Sequence, residues 1–281
     1  MKKRKEENLN PLNYYKYFKN ELESITLFPE RELSDIVYHF TGKDMGSFLT
    51  GISNNINMES LFSQTLEIIN RRKKGEPLEY ILGRAYFMDI ELAVDNSVLI
   101  PRPETEILVE EVLKHGPGTV IDVGTGSGNI AIALAKRGFR VVATDISKRA
   151  LKIAEYNAKK NRVNVEFLHC AFMDNVRKDI KFDYIVSNPP YVSRAEYSEL
   201  PDEVKKEPYE ALVSDKNGLW HTLKVLEYAR EYLKGGGYVF IEISPLRVEK
   251  YKEMAKKLGY GDIELTKDFN GKDRVLKARW M

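Results

Sequence analysis

The sequence has 281 residues, of which 43% are hydrophobic and 31% are charged, and its formal net charge is +2. This length favours two domains over one, and so small a positive charge does not by itself indicate a nucleic-acid-binding protein. No stretch approaches the roughly 20 consecutive apolar residues that cross a bilayer, so we expect no membrane-spanning helix.

The start of the chain and its rare residue types bear on where the protein works. Residues 2–5 are basic, but no apolar segment follows them, so we expect no secretory signal. Cys170 is the only cysteine, which excludes an intramolecular disulfide and is typical of the reducing cytoplasm. Gln64 is the only glutamine in a chain rich in Lys and Glu, a composition that resembles that of hyperthermophile proteins.

Residues 1–84 are predicted to form a small helical domain. Apolar residues at positions 58, 61, 62, 66 and 69 have the 3.6-residue spacing of a helix with one buried face. Gly75 and Pro77 end this helix, which we place over 58–72. Two shorter helices are predicted over 12–25 and 31–40.

Residues 85–100 are predicted to form a β-hairpin that links this domain to the next. Positions 87, 90, 92, 94 and 98–100 carry residues that favour strands, and Asp95 with Asn96 favours a turn between them. The rigid Pro101-Arg102-Pro103 follows, and a helix is predicted over 104–113.

Residues 101–281 are predicted to form an α/β catalytic domain. Candidate strands are 119–123, 141–145, 165–168, 184–187 and 238–243, and the helices between them are 130–136, 148–160 and 219–233. Short apolar strands separated by helices are typical of a parallel sheet covered on both faces. Two more strands, 263–267 and 274–278, are joined by a short turn and predict a hairpin at one edge.

A glycine-rich turn joins the first of these strands to the next helix. Its candidate ligand-binding residues are Gly124, Thr125, Gly126, Ser127 and Gly128. Glycine permits positive φ and lets a ligand press against the main chain, where a Cβ would clash. Asp145 ends the next predicted strand, 17 residues past Gly128, and a carboxylate there can accept hydrogen bonds from both hydroxyls of a ribose. The turn and this acid together predict a nucleoside-containing cofactor.

The spacing of the glycines favours one cofactor class over another. Dinucleotide-binding enzymes carry G-x-G-x-x-G, in which the third glycine packs helix on strand. Here the spacing is G-x-G-x-G, and Asn129 stands where that third glycine belongs. This departure favours S-adenosylmethionine, which has no pyrophosphate, over a nicotinamide cofactor. Asp122, just before the turn, is predicted either to hold the loop by bonding its amides or to face the cofactor's ammonium group.

Asn188-Pro189-Pro190-Tyr191 follows the fourth strand and suggests the chemistry. The lone pair of a planar amide or aromatic amine nitrogen is delocalised, so its methylation requires both N–H bonds to be directed at fixed acceptors. Asn188 supplies one acceptor in its side-chain oxygen, and the Pro189 carbonyl supplies a second. The two prolines stiffen this segment, which we call the Asn-Pro-Pro wall, and they donate no backbone hydrogen bonds. Tyr191 offers a flat face for stacking. The alternative is that Asn-Pro-Pro-Tyr forms only a structural turn and has no catalytic role.

Other candidate residues carry weaker signals. The four histidines, His39, His115, His169 and His221, share no metal-ligand spacing, so no metal site is predicted. Phe172, just beyond the third strand, is placed either against an adenine ring or in the core. Three residues, Arg102, Glu104 and Thr105, are candidates to close over the site, although a linker and a helix start explain them equally well.

Five segments together resemble a known family. They are 77–83 (PLEYILG), 99–106 (LIPRPETE), 122–128 (DVGTGSG), 188–191 (NPPY) and 207–212 (EPYEAL). They are similar to those of the HemK/PrmC family, the protein-(glutamine-N5) methyltransferases that act on peptide chain release factors. The similarity runs from the end of the helical region to the C-terminus, whereas the helical domain fits by size and position only.

The resemblance implies a fold, a substrate and a site. The fold is a seven-stranded, Rossmann-like S-adenosylmethionine-dependent methyltransferase domain whose last strand is antiparallel, with a small helical domain before it that is suspected of substrate recognition. The substrate is a glutamine in the Gly-Gly-Gln motif of release factors. The glycine loop, Asp145 and Phe172 would contact the cofactor, and Asn188 to Tyr191 would hold the glutamine amide, with Asn188 close to both.

Three alternatives remain open at the level of sequence. Adenine-N6 methyltransferases of DNA or RNA face the same chemical problem and often carry Asn/Asp-Pro-Pro-Tyr, but they usually have a basic recognition region. Here the additional domain is small and not strongly basic, which favours a protein partner and no direct contact with nucleic acid. A non-catalytic module that docks on a translation factor and a nicotinamide dehydrogenase are the other two.

Overall fold

The computed structural model of the protein describes residues 9–51 and 56–281. The basic start of the chain, from which no secretory signal was expected, lies outside these residues. The chain consists of two compact units, residues 1–83 and residues 84–281. Separate roles for segments 1–84, 85–100 and 101–281 stay a prediction.

The first unit is helical throughout its described part. Its helices are α1 (Pro11–Glu23), α2 (Pro29–Thr41), α3 (Met45–Leu49), α4 (Met58–Arg72) and α5 (Leu78–Leu82). The three helices predicted here are confirmed, and α4 has the predicted bounds. The periodic apolar residues pack inward, so that Tyr14, Phe18, Leu33 and Ile69 are at most 1% exposed.

The second unit is a mixed α/β structure. Its strands are β1 (Arg84–Phe87), β2 (Ile90–Ala93), β3 (Thr119–Val123), β4 (Arg140–Asp145), β5 (Val165–His169), β6 (Phe182–Ser187), β7 (Leu233–Glu242), β8 (Tyr260–Lys267) and β9 (Asp273–Trp280). Its helices are α6 (Pro103–Leu113), α7 (Asn129–Lys136), α8 (Lys148–Lys160), α9 (Arg194–Ser198), α10 (Tyr209–Leu212), α11 (Asp215–Gly218), α12 (Trp220–Tyr232) and α13 (Val248–Lys257), with 3₁₀ turns at Val204–Lys206 and Pro245–Arg247.

Seven of these strands form one sheet, in the order β5-β4-β3-β6-β7-β9-β8. Strands β3 to β7 pair in parallel, whereas β9 runs antiparallel to both β7 and β8. The predicted parallel sheet, the hairpin at its edge and the antiparallel last strand are therefore confirmed. Chain order reverses between β3 and β6, which creates the switch point where open α/β sheets bind their ligands.

Alternation of side chains along the strands explains why the sheet is covered on both faces. Val120 belongs to the core cluster on one face, and the next residue, Ile121, belongs to the cluster on the other face. Val186 and Ile185 of β6 divide in the same way. Both faces are apolar because successive strand residues point to opposite sides and both sets are buried. Polar residues end three of the strands, with Asp145 last in β4, Ser187 last in β6 and Glu242 last in β7.

A hairpin forms within residues 85–100 as predicted, but the predicted position of its turn is wrong. The two strands are β1 and β2, which pair from Arg84 with Ala93 to Phe87 with Ile90, so the chain reverses at residues 88–89. Asp95 instead makes a local turn, in which its Oδ1 accepts a hydrogen bond from the Ser97 amide at 2.8 Å. Residues 98–100 run as a loop in which Val98 and Ile100 are buried and Leu99 is half-buried. Their strand-like composition reflects burial, not pairing.

Asn157 of α8 ties this hairpin to the glycine turn. Its Nδ2 donates to the carbonyls of Ala93 and Ser127, both at 2.9 Å, and its Oδ1 accepts from the Ala93 amide at 2.7 Å. The side chain is fully buried. One amide therefore satisfies three backbone groups and fixes the glycine turn from behind.

Replacing Asn157 by Leu, of similar volume, should lower the free energy of unfolding by about 3 kcal/mol, because three buried backbone groups lose their partner. Chemical denaturation followed by circular dichroism measures the change. The control is Lys160→Ala on the same helix, which removes a half-exposed ion pair with Glu91 of β2 and should cost less than about 1 kcal/mol. Equal losses in the two variants would contradict this role of Asn157.

Candidate active site

A cavity of about 620 Å³ opens at the carboxyl ends of β3, β4 and β6. Of the sequence-predicted site residues, those that line it are Gly124, Thr125, Gly126, Ser127, Asp145, Phe172, Asn188, Pro189 and Pro190. Gly128 and Tyr191 were also predicted in the site, but they are not part of this lining. The structure thus brings together the glycine turn, the acid and the Asn-Pro-Pro wall.

The glycines of the turn have two different functions. Gly124 and Gly126 have φ of +77° and +54°, and a Cβ added to either would meet no heavy atom within 4 Å. Their bare backbone faces open space, as a cofactor cradle requires. Gly128, at φ +84°, begins α7, and a Cβ there would lie 3.1 Å from Ile132 and 3.2 Å from Ala154. We therefore assign Gly128 to helix packing.

Asp145 closes the turn through its carboxylate. Its Oδ2 accepts from the Gly126 amide at 2.9 Å, and its Oδ1 accepts from the Ser147 amide at 2.8 Å. Burial raises the pKa of this carboxyl, and the two backbone hydrogen bonds oppose the shift. A carboxylate offers about four lone-pair positions, so two remain for the hydroxyls of a ribose, and that role of Asp145 stays a prediction.

Asp122 holds the turn, though not through backbone amides as one of its two predicted roles required. The Thr125 hydroxyl donates to its Oδ2 at 2.7 Å. The carboxyl is fully buried, and this desolvation raises its pKa to about 7. The turn is thus fixed from both sides, by Asp122 at the end of β3 and by Asp145 at the end of β4.

Behind the Asn-Pro-Pro wall lies a polar group that the sequence interpretation missed. Asn188 Nδ2 donates to Thr105 Oγ1 at 3.0 Å, and the Thr105 hydroxyl donates to Glu242 Oε2 at 2.6 Å. The Tyr191 hydroxyl donates to the other oxygen of Glu242 at 3.3 Å. The Tyr191 hydroxyl is therefore engaged by Glu242, and the use of its ring face for stacking stays a prediction. A carboxylate at the end of an apolar strand was the signal for Glu242.

The backbone of the wall is braced by a later segment of the chain. Val192 donates its amide to the Leu212 carbonyl at 2.9 Å and accepts from the Ser214 amide at 2.8 Å. Gly218 has φ of +81°, and a Cβ there would lie 2.2 Å from the Tyr191 carbonyl oxygen. Only glycine allows this approach, so Gly218 supports the wall by direct contact.

Phe172 lines the cavity and also packs against the core cluster on one face of the sheet, so its contact with an adenine ring stays a prediction. Its ring stacks on Tyr228 at 5.6 Å between centroids and meets Trp220 edge-on at 5.4 Å. Trp220 and His221 also line the cavity, although sequence reasoning gave them no role there. His221 Nδ1 lies 2.8 Å from Ser214 Oγ, and burial lowers the pKa of this imidazole. The aromatic pair Trp220-His221 at the start of α12 was the available signal.

The loop before α6 and the first turn of that helix complete the cavity. Arg102 and Thr105 line it, whereas Glu104 does not. Glu207, buried at 4% exposure, accepts from the Ile100 amide at 3.0 Å and pairs with Arg102. The 207–212 segment thus anchors this loop over the cavity.

The described residues meet the requirements of neither a metal site nor a membrane-spanning helix. Within 9–51 and 56–281, no group of three or more His, Cys, Asp or Glu side chains could hold a metal ion. In the same part of the chain, every helix is too short or too polar to span a membrane.

Comparison with known proteins gives the family. Residues 103–215 match the model of the methyltransferase small domain. A release factor glutamine methyltransferase from Buchnera aphidicola is 35% identical over 94% of this chain and 97% of its own length. That of Thermodesulfovibrio yellowstonii is 39% identical over 89% and 92%. The chain belongs to the release factor glutamine methyltransferase family. The resemblance drawn from the five sequence segments is therefore confirmed.

Solved structures agree on the fold of this family member. A methyltransferase from Pyrococcus furiosus has a TM-score of 0.54 at 21% identity and covers 77% of this chain and 96% of its own. The 16S rRNA N2 G1207 methyltransferase of Thermus thermophilus, solved with AdoMet and guanosine, also has a TM-score of 0.54, at 20% identity, over 70% and 50%. At such identities the likeness shows the methyltransferase fold alone.

The raised pKa of Asp122 predicts a pH-dependent stability. A carboxyl whose pKa rises on folding costs stability as it ionises, so the cost appears as the pH rises from about 4 to about 7. Asp122→Asn keeps an acceptor for Thr125 and removes the charge. Its free energy of unfolding relative to the unaltered chain should increase over this window by up to about 1.4 kcal/mol per pH unit.

Thermal or chemical unfolding at several pH values measures this difference. Asp89→Asn is the matched control, because Asp89 is exposed and its pKa is lowered by Arg137. The difference in free energy of unfolding between Asp89→Asn and the unaltered chain should be constant above about pH 5. A constant difference for Asp122→Asn as well would contradict the assignment.

Proposed function

We propose that the protein transfers a methyl group from S-adenosylmethionine to the side-chain amide nitrogen of a glutamine in peptide chain release factors, at their Gly-Gly-Gln motif. The observation that carries the proposal is the orientation of Asn188, whose Nδ2 is engaged by Thr105 on a wall that lines the cavity. The family supports the substrate, because its members are named for release factor glutamine methylation.

The cavity fits the cofactor of this reaction. S-adenosylmethionine supplies a methyl group activated by its bond to a sulfonium. Gly124 and Gly126 offer bare backbone to it, Asp145 has free lone pairs for its ribose, and Phe172 offers a ring on the cavity wall. The buried carboxyls Asp122 and Asp145 make this end of the cavity favourable for a cation.

The Asn188 wall is proposed to activate the glutamine amide by orienting it. Asn188 Oδ1 and the Pro189 carbonyl would accept the two N–H groups of the substrate NH₂. These hydrogens become more acidic as positive charge develops on nitrogen, so both acceptors stabilise the transition state more than the ground state. The proton can leave to solvent after the transfer, so positioning supplies most of the rate enhancement.

The adenine-N6 alternative is not favoured. The curated relatives that match most of the chain are protein-glutamine methyltransferases. The likeness to the 16S rRNA enzyme is at 20% identity and concerns the fold. We therefore propose a protein partner, with no direct nucleic-acid contact.

We also propose that the enzyme works in the cytoplasm, where it would act on a factor of translation termination. The single cysteine supports a reducing compartment. The composition rich in Lys and Glu and poor in Gln supports a thermophilic habitat.

The direct test uses an unmethylated release factor, the protein and S-adenosylmethionine. We expect mass spectrometry to find one added methyl group, located on the glutamine of the Gly-Gly-Gln motif. Labelling of DNA or RNA, with none on the release factor, would overturn the proposal in favour of the adenine alternative. Asn188→Ala serves as the catalytic control, with a loss in kcat of at least about 100-fold, the scale of one transition-state hydrogen bond, while cofactor binding is retained.

The open space beside Gly124 and Gly126, which we call the glycine cradle, leads to a second prediction. Gly126→Ala should weaken S-adenosylmethionine binding by at least about 10-fold, because its Cβ would enter the space that the cofactor needs. Isothermal calorimetry measures the affinity. Gly138→Ala is the matched control, since Gly138 also has positive φ and open space around its Cβ but lies after α7, outside the cavity lining. Equal affinities in the two variants would contradict the cradle.

A further inference from the structure

A continuous run of hydrogen bonds leads from the cavity wall to a buried carboxylate. It passes from Asn188 Nδ2 to Thr105 Oγ1 at 3.0 Å and from Thr105 Oγ1 to Glu242 Oε2 at 2.6 Å. Thr105 and Glu242 are each 1% exposed. Solvent therefore does not compete for these bonds, and each atom must be satisfied by its neighbour.

The carboxylate fixes the direction of every bond in this run. An ionised carboxylate only accepts, so the single proton of the Thr105 hydroxyl must point at Glu242. The remaining lone pairs of Thr105 can only accept, which selects the amino group of Asn188 as their partner. The oxygen and nitrogen of an asparagine amide have nearly the same shape. The hydrogen-bond partners of the Asn188 amide, and not its packing, therefore decide whether its oxygen or its nitrogen faces the cavity.

We propose that Thr105 and Glu242 are positioning residues that hold the Asn188 amide in the orientation that presents its oxygen to the nitrogen to be methylated. The inference rests on the function proposed above. A flipped amide would aim N–H donors at a substrate NH₂ that is itself a donor, and the transition state would lose an acceptor. Neither Thr105 nor Glu242 needs to act on a reactant for this effect.

The charge on Glu242 depends on the groups around it. Thr105 and Glu104 belong to α6, Tyr191 to the loop after β6, and Arg274 to β9. Burial raises the pKa of Glu242 to about 7, Thr105 and Arg274 oppose this shift, and Glu104 adds to it. A protonated Glu242 can donate to Thr105, which frees the Thr105 proton for Asn188 and favours the flipped amide. We therefore expect the active orientation to be lost as the pH falls below about 7.

The first test removes the hydroxyl at constant volume. Thr105→Val should lower kcat on an unmethylated release factor by about 10- to 100-fold, with cofactor affinity changed less than about 3-fold. Thr105→Ser restores the hydroxyl and should recover most of the rate. Thr119→Val removes a similar hydroxyl, bonded to Asp183 at 2.8 Å at the other end of β3, and should leave kcat unchanged. An unaltered kcat in Thr105→Val would overturn the proposal.

A double-mutant cycle separates positioning from a general structural effect. If Thr105 acts only through Asn188, then Thr105→Val should cause no further loss of single-turnover rate in an Asn188→Ala background. A full additional loss there would show that Thr105 acts by another route. If instead Asn188→Ala alone retains its rate, the proposed role of the wall fails, which is a different outcome from failure of this inference.

Glu242→Gln tests the anchor. The amide keeps the shape of the carboxyl but does not ionise, and its NH₂ group can donate to Thr105, so the direction of the run is no longer fixed. We expect kcat at pH 8 to fall by about 10-fold and the decline of kcat below about pH 7 to disappear. The same pH dependence in Glu242→Gln and in the unaltered chain would contradict the role of Glu242.

Discussion

Burial of the Glu242 carboxylate at the end of β7 is the constraint from which the geometry of the cavity follows. A charge without solvent must be compensated by hydrogen bonds and by opposite charge. Here Thr105 and Tyr191 donate to it, and Arg274 lies close enough to oppose the rise in its pKa. Helix α6, the loop after β6 and strand β9 are therefore tied to one point. The Asn188 amide is joined to that carboxylate through two hydrogen bonds, with the Thr105 hydroxyl between them.

Carboxylates also organise the other end of the cavity, where they hold the glycine turn. Asp122 accepts from the Thr125 side chain and Asp145 accepts from the Gly126 amide, so the turn is held from two neighbouring strands. In the proposed function, the ionised fraction of these acids would favour a cationic sulfonium over the neutral thioether that remains after transfer. The groups that hold the turn would then also favour release of the spent cofactor.

The sequence predicted the local elements well and the connections behind the site poorly. Periodicity and glycine spacing placed α4, α8, β3 and the cavity-facing turn, because these depend on residues that are neighbours in the chain. The link from Thr105 to Glu242 spans 137 residues, and no spacing rule reaches that far. One error had a local cause. Residues 98–100 have a strand-like composition because Val98 and Ile100 are buried in a loop, without pairing in a sheet. The bond of the Tyr191 hydroxyl to a carboxylate in β7 could not be predicted, because only the folded sheet brings the two groups together.

The contact between Gly218 and the Tyr191 carbonyl has a consequence for tolerance to mutation. Ordinary contact for a Cβ begins near 3.4 Å, whereas the available separation is 2.2 Å, so any side chain would have to push the backbone beyond Pro190 by about 1 Å, a shift large enough to cost about 100-fold in rate. Gly218 does not line the cavity. A substitution of Gly218 would therefore disturb the geometry of methyl transfer from a position that contacts neither reactant. Activity would be lost there while the fold and both binding sites stay intact.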